Sequence, residues 1–341
     1  MPRLHASAGF GALLALLLII GFGAWRYDGF ISEYNILTVL RYNSMFALVG
    51  LGMCFVIMTG GIDLSVGSVA ALSSVVAAYL SPYGLIPGLL GGLAAGLAAG
   101  IVNGFIISKM KILPFIATLA TMLAASGVAL LLSNQQSVPA SYDTNFMALG
   151  QGDFSMYAPE WVSGEDAGFF GAVIRIFLGF PIPAWIALFA YLLGSLILNR
   201  TAFGRHVLAV GGGEEASRLM GLPTDRTIFL VYVMSGLLAG MAGVILAAQF
   251  GAGQPIEGIG WELFAIASVV VGGTLLTGGK GSVGATLVGT LLLGILFTVL
   301  NFENGMGWIS LSAYWQSVLR GAFLFVVVIL QSRLTRSTAT A

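Results

Sequence analysis

Apolar residues run along this chain in long unbroken blocks rather than in the alternation or one-sided helical stripe of a water-soluble fold. A block of roughly 18 residues or more with few charges can cross a hydrocarbon core of about 30 Å as a helix. Blocks at 8–25, 45–58, 64–80, 85–107, 113–132, 182–198, 228–248, 263–276, 283–300 and 314–330 predict an all-α polytopic membrane protein of about ten transmembrane helices. They form a single transmembrane unit over residues 1–341. The first block follows Arg3, and no small-residue cleavage pattern comes after it, so it reads as a retained anchor rather than a signal peptide.

Two blocks, 45–58 and 263–276, are too short to cross straight through. Each runs into a glycine pair, Gly60-Gly61 and Gly278-Gly279, which predicts helices that break at membrane depth. Segment 35–40 is expected to lie along the outer surface, and 167–180, apolar around Arg175, to be interfacial. The surroundings of the two glycine pairs echo one another, 59–67 against 277–284, and each opens the next block.

Composition agrees with this reading and narrows it. Only 8% of residues are charged, against roughly a quarter in soluble domains. The 14 basic and 14 acidic residues cancel, which removes nucleic acid as a partner. With the N-terminus inside, Arg3, Lys109, Lys111, Arg200, Arg205, Arg218, Arg226, Lys280, Arg333 and Arg336 gather on the inner side. The outer loop 133–181 carries Asp143, Asp153, Glu160, Glu165 and Asp166. Basic residues favour the cytoplasmic side of short loops, so both termini are expected in the cytoplasm. One cysteine, Cys54, and two histidines, His5 and His206, cannot form a Cys/His metal cluster, and no metal site is expected.

Glycine is abundant, at 48 residues. Gly92, Gly96, Gly100 and Gly104 recur every four residues along one block, the stripe of a close-packed helix seam. Segment 273–282 superficially suggests a phosphate loop. Aligning its lysine on Lys280 puts Thr274 where the first glycine belongs and Gly281 where the hydroxyl belongs, so no nucleotide site is expected.

The longest inner loop, 199–227, holds Gly211-Gly212-Gly213 before Glu214, Glu215, Ala216, Ser217, Arg218, Leu219, Met220 and Gly221, with Pro223 after them. Acids at the start, glycine at the end and proline beyond predict a two-turn helix with Gly221 as a left-handed cap. Its apolar face, Ala216, Leu219 and Met220, needs either lipid headgroups or a partner's groove to cover it.

Asp63 is a carboxylate flanked closely by apolar blocks. It reads either as a cap, shared with Ser65, for the helix that follows the Gly60-Gly61 break, or as a functional group. Asn43, Asn103, Phe115, Thr118, Thr121, Ser126 and Gln249, within or at the ends of blocks, are candidates for lining a pathway through the membrane. Helix-packing hydrogen bonds are the alternative role of the polar ones.

Two stretches carry a resemblance. Residues 215–221 resemble the EAA loop of ATP-binding-cassette importer permeases, with Ser217 in place of the second alanine and without the later Ile-x-Leu-Pro part. Gly60-Gly61-Ile62-Asp63-Leu64-Ser65-Val66-Gly67-Ser68 resembles the signature of ribose-type sugar permeases. Lys111 to Leu119, Thr201 to Gly204, Ala209 to Gly212 and Ala267 to Leu276 are similar to that family as well. The chain is identified as a member of it.

The resemblance implies a bacterial inner-membrane permease that carries a small sugar inward as a dimer. Cytoplasmic ATPases would lie beneath, holding the ATP and magnesium, and a periplasmic sugar-binding protein above; no cofactor would sit on this chain. Glu214 to Gly221 would then be the ATPase-coupling helix, and Gly60, Gly61, Gly278 and Gly279 the hinges. The tail 266–334, including Leu300-Asn301-Phe302-Glu303, resembles the second permease of galactofuranose-type importers, which implies a paralogous partner permease and a furanose. Ribose, xylose, galactose and other pentoses or hexoses remain open. The rival reading, an ion-coupled secondary sugar transporter, requires several membrane-depth carboxylates, for which Asp63 and Glu262 are the candidates. A passive channel or scaffold is the third.

Overall fold

The computed structural model describes residues 3–155, 170–171, 174 and 177–306, with isolated positions 315, 318–319, 321–322 and 325. Most of the expected helix 314–330 and half of segment 167–180 lie outside the described residues. So do Glu160, Glu165, Asp166, Arg175, Arg320, Arg333 and Arg336.

The chain is helical nearly throughout. In order come α1 (Arg3–Arg26), α2 (Glu33–Met58), α3 (Val66–Leu80), α4 (Leu85–Ser108), α5 (Pro114–Ser133), α6 (Ala148–Gln151), α7 (Ile182–Arg200), α8 (Ala202–Gly212), α9 (Glu214–Leu219), α10 (Thr224–Phe250), α11 (Trp261–Val271) and α12 (Val283–Met306). Two short strands, β1 (Val138–Pro139) and β2 (Ala252–Gly253), pair antiparallel. Among the described residues, eight helices are long and apolar enough to cross a membrane, and α11 is a shorter apolar helix.

One expectation is overturned at α2. The block 45–58 is not a short broken span, and 35–40 is not a surface segment, because both belong to one 26-residue helix. Ser32 caps it by accepting from the Asn35 amide at 3.3 Å. Polar side chains beside the apolar block bond back to carbonyls of the helix itself. Asn43 Nδ2 donates to the Val39 carbonyl at 2.8 Å and Ser44 Oγ to the Arg41 carbonyl at 2.6 Å. Polar side chains that bond their own helix do not stop it. α2 then runs through the middle of the bundle, buried almost continuously from Asn43 to Met58.

α11 is short as expected, but its end is displaced. The helix stops at Val271, ahead of Gly278-Gly279. At about 1.5 Å per residue its 11 residues span about half of a 30 Å core. Between α11 and α12 the backbone turns through left-handed conformations at Gly273, Gly278 and Gly279.

The glycine stripe on α4 packs against α10. A Cβ added at Gly96 would lie 2.4 Å from the Gly236 carbonyl oxygen and 2.6 Å from the Gly240 Cα. At Gly100 and Gly104 it would meet the Tyr232 and Phe229 carbonyls at 2.7 and 2.8 Å. The two helices therefore touch backbone to backbone, as small-residue seams in membranes do.

α1 lies at the edge, with 17% of its apolar window buried. It is tied to α12 near the Leu300-Asn301-Phe302-Glu303 stretch. Phe302 packs on Tyr27 and Phe30, with ring centroids 5.6 and 5.4 Å apart. The Tyr27 hydroxyl donates to Glu303 Oε2 at 2.5 Å. Burial, with the Glu303 carboxylate beside it, pushes that hydroxyl up to about 12, so it stays a donor.

Candidate functional site

α2 ends at Met58 and α3 begins at Val66, and the turn between them buries Asp63 to 1% exposure. Asp63 Oδ1 accepts from the Ser65 amide at 3.0 Å and from Ser65 Oγ at 2.6 Å. Its Oδ2 accepts from Ser235 Oγ on α10 at 2.8 Å. Asp63 has no cationic partner among the described residues. A buried carboxylate without a counter-charge relies on such donors. Of the two expected caps, the carboxylate takes the amide, and the Ser65 side chain makes no capping bond.

The bonding continues outward. Asn103 Nδ2 on α4 donates to Ser65 Oγ at 2.9 Å, and Thr121 Oγ1 on α5 donates to Asn103 Oδ1 at 2.6 Å. Thr118 Oγ1 donates to its own helix at Pro114 O, 2.8 Å, with the Ile62 carbonyl 3.3 Å away. One polar string thus runs from α5 through α4 and the α2–α3 turn to α10. It gathers Asp63, Ser65, Asn103, Thr118 and Thr121. Phe115 is 55% exposed on the outside of α5. Asn43 lies towards the other end of α2. Gln249 lies at the far end of α10, and its Oε1 is buried without a hydrogen-bond partner.

The two glycine pairs meet. The Gly279 amide donates to the Met58 carbonyl at 2.9 Å, and a Cβ at Gly278 would sit 2.8 Å from the Gly60 amide nitrogen. The end of α8 presses into the same point, where a Cβ at Gly211 would be 1.8 Å from the Met58 oxygen and 2.4 Å from the Gly279 nitrogen. Gly67 is equally constrained, since a Cβ there would lie 2.0 Å from the Gly258 carbonyl oxygen.

The loop 199–227 is more ordered than expected. Gly211 and Gly212 do not precede a helix as loop residues; they close α8, whose Val207 and Val210 are buried. α9 covers Glu214–Leu219, and Gly221 takes φ +80°, the left-handed cap expected of it, so the helical turns themselves stop two residues short of it. Its amide bonds Arg218 O and the Leu222 amide bonds Ser217 O, both at 3.0 Å. Leu219 and Met220 are 81% and 70% exposed, and Ala216 is exposed with them.

Ion pairs bind α9 to the starts of α5 and α10. Arg218 meets Glu214 at 2.7 Å, and Lys111 meets Glu214 at 3.4 Å and Asp225 at 2.5 Å. Lys109 and Arg218 each approach Asp225 at 3.7 Å. Lys111 itself holds a left-handed φ of 56° just ahead of Pro114. A cavity of about 300 Å³ separates this network from the Gly60-Gly61 turn, and Tyr232 lines it.

Ser235, Tyr232 and Asp225 escaped the sequence reading. Each sits on α10, a block whose polar residues carry no periodic signal. In the sequence Lys109 stands only as a marker of sidedness, and Lys111 as that and as the start of a family-like stretch, with no sign of their ion pairs.

Comparison with known proteins agrees. The sequence profile of the family described as branched-chain amino acid transport system / permease component matches residues 35–328. The chain is similar to the ribose import permease protein RbsC of Bacillus subtilis (strain 168), 36% identical over 325 residues, covering 95% of this chain and 92% of that one. RbsC of Escherichia coli (strain K12) is 35% identical, covering 94% and 93%. The L-arabinose transport system permease protein AraH of Escherichia coli (strain K12) is 40% identical over 288 residues, covering 84% and 79%. No solved structure matches at a significant level. With the signature turn and the α9 loop in place, this chain belongs to the branched-chain amino acid transport system permease component family, as a ribose-type sugar permease of an ATP-binding-cassette importer.

Proposed function

We propose that this permease passes a small uncharged furanose or pentose inward as one half of a permease dimer, with galactofuranose the first sugar to test. As an importer permease of this family it is a multi-pass protein of the inner membrane. It carries no ATPase site of its own and works with a cytoplasmic ATPase and a periplasmic binding protein. In the proposed mechanism Glu214, Glu215, Ala216, Ser217, Arg218, Leu219, Met220 and Gly221 receive the ATPase stroke. The chain binds no cofactor or metal, and ATP with magnesium belongs to the partner ATPase. The observation that carries the coupling role is the shared contact of Gly211, Met58 and Gly279, which joins the α8–α9 elbow to both glycine pairs. A push on α9 reaches the end of α2 and the turn between α11 and α12 through backbone alone.

Gly60, Gly61, Gly278 and Gly279 act as hinges in this reading, while Asn103, Thr118 and Thr121 offer hydroxyl and amide partners beside Asp63 and Ser65. Exposed faces of α1 and α5 meet lipid or the second permease, a copy or a paralogue. The furanose assignment is supported by the Leu300 to Glu303 resemblance, and the pentose by the ribose and arabinose named for the relatives.

Reconstitution with the ATPase and binding protein in proteoliposomes tests this. ATP-dependent uptake, abolished by deleting 214–221 while the protein stays in the membrane, is expected. Unchanged uptake after the deletion overturns the coupling role. Uptake driven by an ion gradient without ATP would favour the secondary-transporter reading. Titrating the binding protein with galactofuranose, ribose, arabinose, xylose and galactose identifies the sugar.

A further inference from the structure

At the end of the bundle away from α9, helices α2, α11 and α12 enclose a slot of about 770 Å³. Along α2 its lining runs from Asn35 to Phe46, about 16 Å, and along α12 from Asn301 down to Leu293, about 12 Å, at about 1.5 Å per residue. One leaflet of a roughly 30 Å core is about 15 Å deep. The slot is therefore about one leaflet deep, like the half-length α11 beside it.

Its mouth is polar and its depth apolar. Asn35, Thr38, Asn301 and Glu257, the last from the loop ahead of α11, line the part nearest the end of the bundle. Phe46, Phe264 and Leu293 line the deeper part, where the Phe46 and Phe264 ring centroids stand 4.4 Å apart. Polar groups midway are turned onto helix backbone. Asn43 Nδ2 donates to the Val39 carbonyl at 2.8 Å, its Oδ1 lies against Gly294, and Thr298 Oγ1 donates to the Gly294 carbonyl at 3.0 Å. Glu257 is the one charged side chain on the lining among the described residues, and it has no hydrogen-bond or ion-pair partner within them. Partial burial pushes its carboxyl up, with no cation beside it to oppose the shift. Ile256 and Ile259, on either side of it, are 59% and 80% exposed.

A carboxylate at the mouth of an apolar slot, with no cationic side chain on the described lining, suits an amphiphile whose head is cationic. Its ammonium would gain a charge-assisted hydrogen bond, whereas an anionic head would meet like charge. We propose that the slot holds one phospholipid with a primary ammonium headgroup, the ammonium on the Glu257 carboxylate and one acyl chain against Phe46, Phe264 and Leu293. The chain fills the space that the half-length α11 borders between α2 and α12. This inference goes beyond the transport reading and does not depend on the cargo.

The test uses the permease–ATPase complex, delipidated in detergent and titrated with palmitoyl-oleoyl phosphatidylethanolamine or phosphatidylglycerol under native mass spectrometry. One phosphatidylethanolamine per permease is expected, retained about fivefold or more over phosphatidylglycerol. Glu257→Gln should abolish most of that preference, because it removes the charge that the ammonium meets. Glu33→Gln, which removes an exposed carboxylate at the start of α2 outside the lining, should keep it. Thr298→Trp, filling the slot midway, should lower retention of both lipids. Thermal unfolding of each complex checks folding, and Glu257→Gln decides alone if Thr298→Trp fails to assemble. Equal retention of the two lipids by the wild type, a preference unchanged by Glu257→Gln, or one lost equally in Glu33→Gln overturns the site. So does a permease dimer that Thr298→Trp splits while lipid retention is unchanged, which gives the slot to a second copy of the chain. Each readout is lipid binding, so ATP-driven uptake stands or falls separately.

Discussion

The amide of Gly279 donates to the carbonyl of Met58 at 2.9 Å. This bond ties the segment after α11 to the end of α2, and Gly211 packs on the same carbonyl. Gly211→Ala would place a methyl 1.8 Å from it, whereas the neighbouring Gly212 has open space around its Cβ position. Gly211→Ala is expected to lower ATP-driven uptake about tenfold or more, equivalent to about 1.4 kcal/mol of lost coupling. Gly212→Ala should stay near wild type. Equal uptake by the two variants in proteoliposomes would remove the junction from the coupling route.

Asp63 is surrounded by donors, so shape and charge can be separated. Asp63→Asn keeps an acceptor for Ser65 and a group able to face the Ser235 hydroxyl. Asp63→Leu leaves the Ser65 amide and two buried hydroxyls unmatched, at about 1–3 kcal/mol for each buried group left unpaired. Thermal unfolding in detergent should show a large loss for leucine and a small one for asparagine. If asparagine also retains uptake, the carboxylate serves as an acceptor rather than as a moving charge.

Lys111, Asp225, Glu214 and Arg218 are partly exposed, and such pairs are each worth about 0–1 kcal/mol. Lys111→Gln should therefore shift Tm by no more than a few degrees. Its effect belongs in transport, because it frees α9 from the starts of α5 and α10. The expected result is reduced ATP-coupled uptake with little change in stability, and a wild-type coupling efficiency that weakens as salt screens the network. A stability loss larger than the coupling loss would make the network structural only.

Much of this was legible in the sequence because membrane spans must be long and apolar. The signals that misled are specific. Asn43 and Ser44 read as the polar flank of a short block, yet each bonds a carbonyl of its own helix, which hydropathy cannot register. Gly211-Gly212-Gly213 read as loop, whereas Gly211 is glycine because another backbone lies against it. The two glycine pairs were recognisable as an echo, but their mutual contact leaves no periodic trace. Ser235 and Tyr232, the α10 residues nearest the Asp63 turn, are single polar side chains in a long apolar block and look like any packing residue.

The α4–α10 seam makes a further stability prediction. A methyl at Gly96 would fall 2.4 Å from a backbone oxygen, where no rotamer change relieves it. Gly96→Ala should cost about 1–3 kcal/mol, the usual range for overpacking, and Gly127→Ala, facing open space, almost nothing. Parallel thermal melts of the two variants decide this, and similar losses in both would mean the seam adapts.

That seam also limits how the protein can move. Packed helices slide past one another when interlocking side chains change rotamer, and α4 and α10 have no side chains between them along Gly96, Gly100, Gly236 and Gly240. The pair is therefore a stiff double beam. An alternation between open and closed forms must tilt it whole, with the bending left to the turns around it.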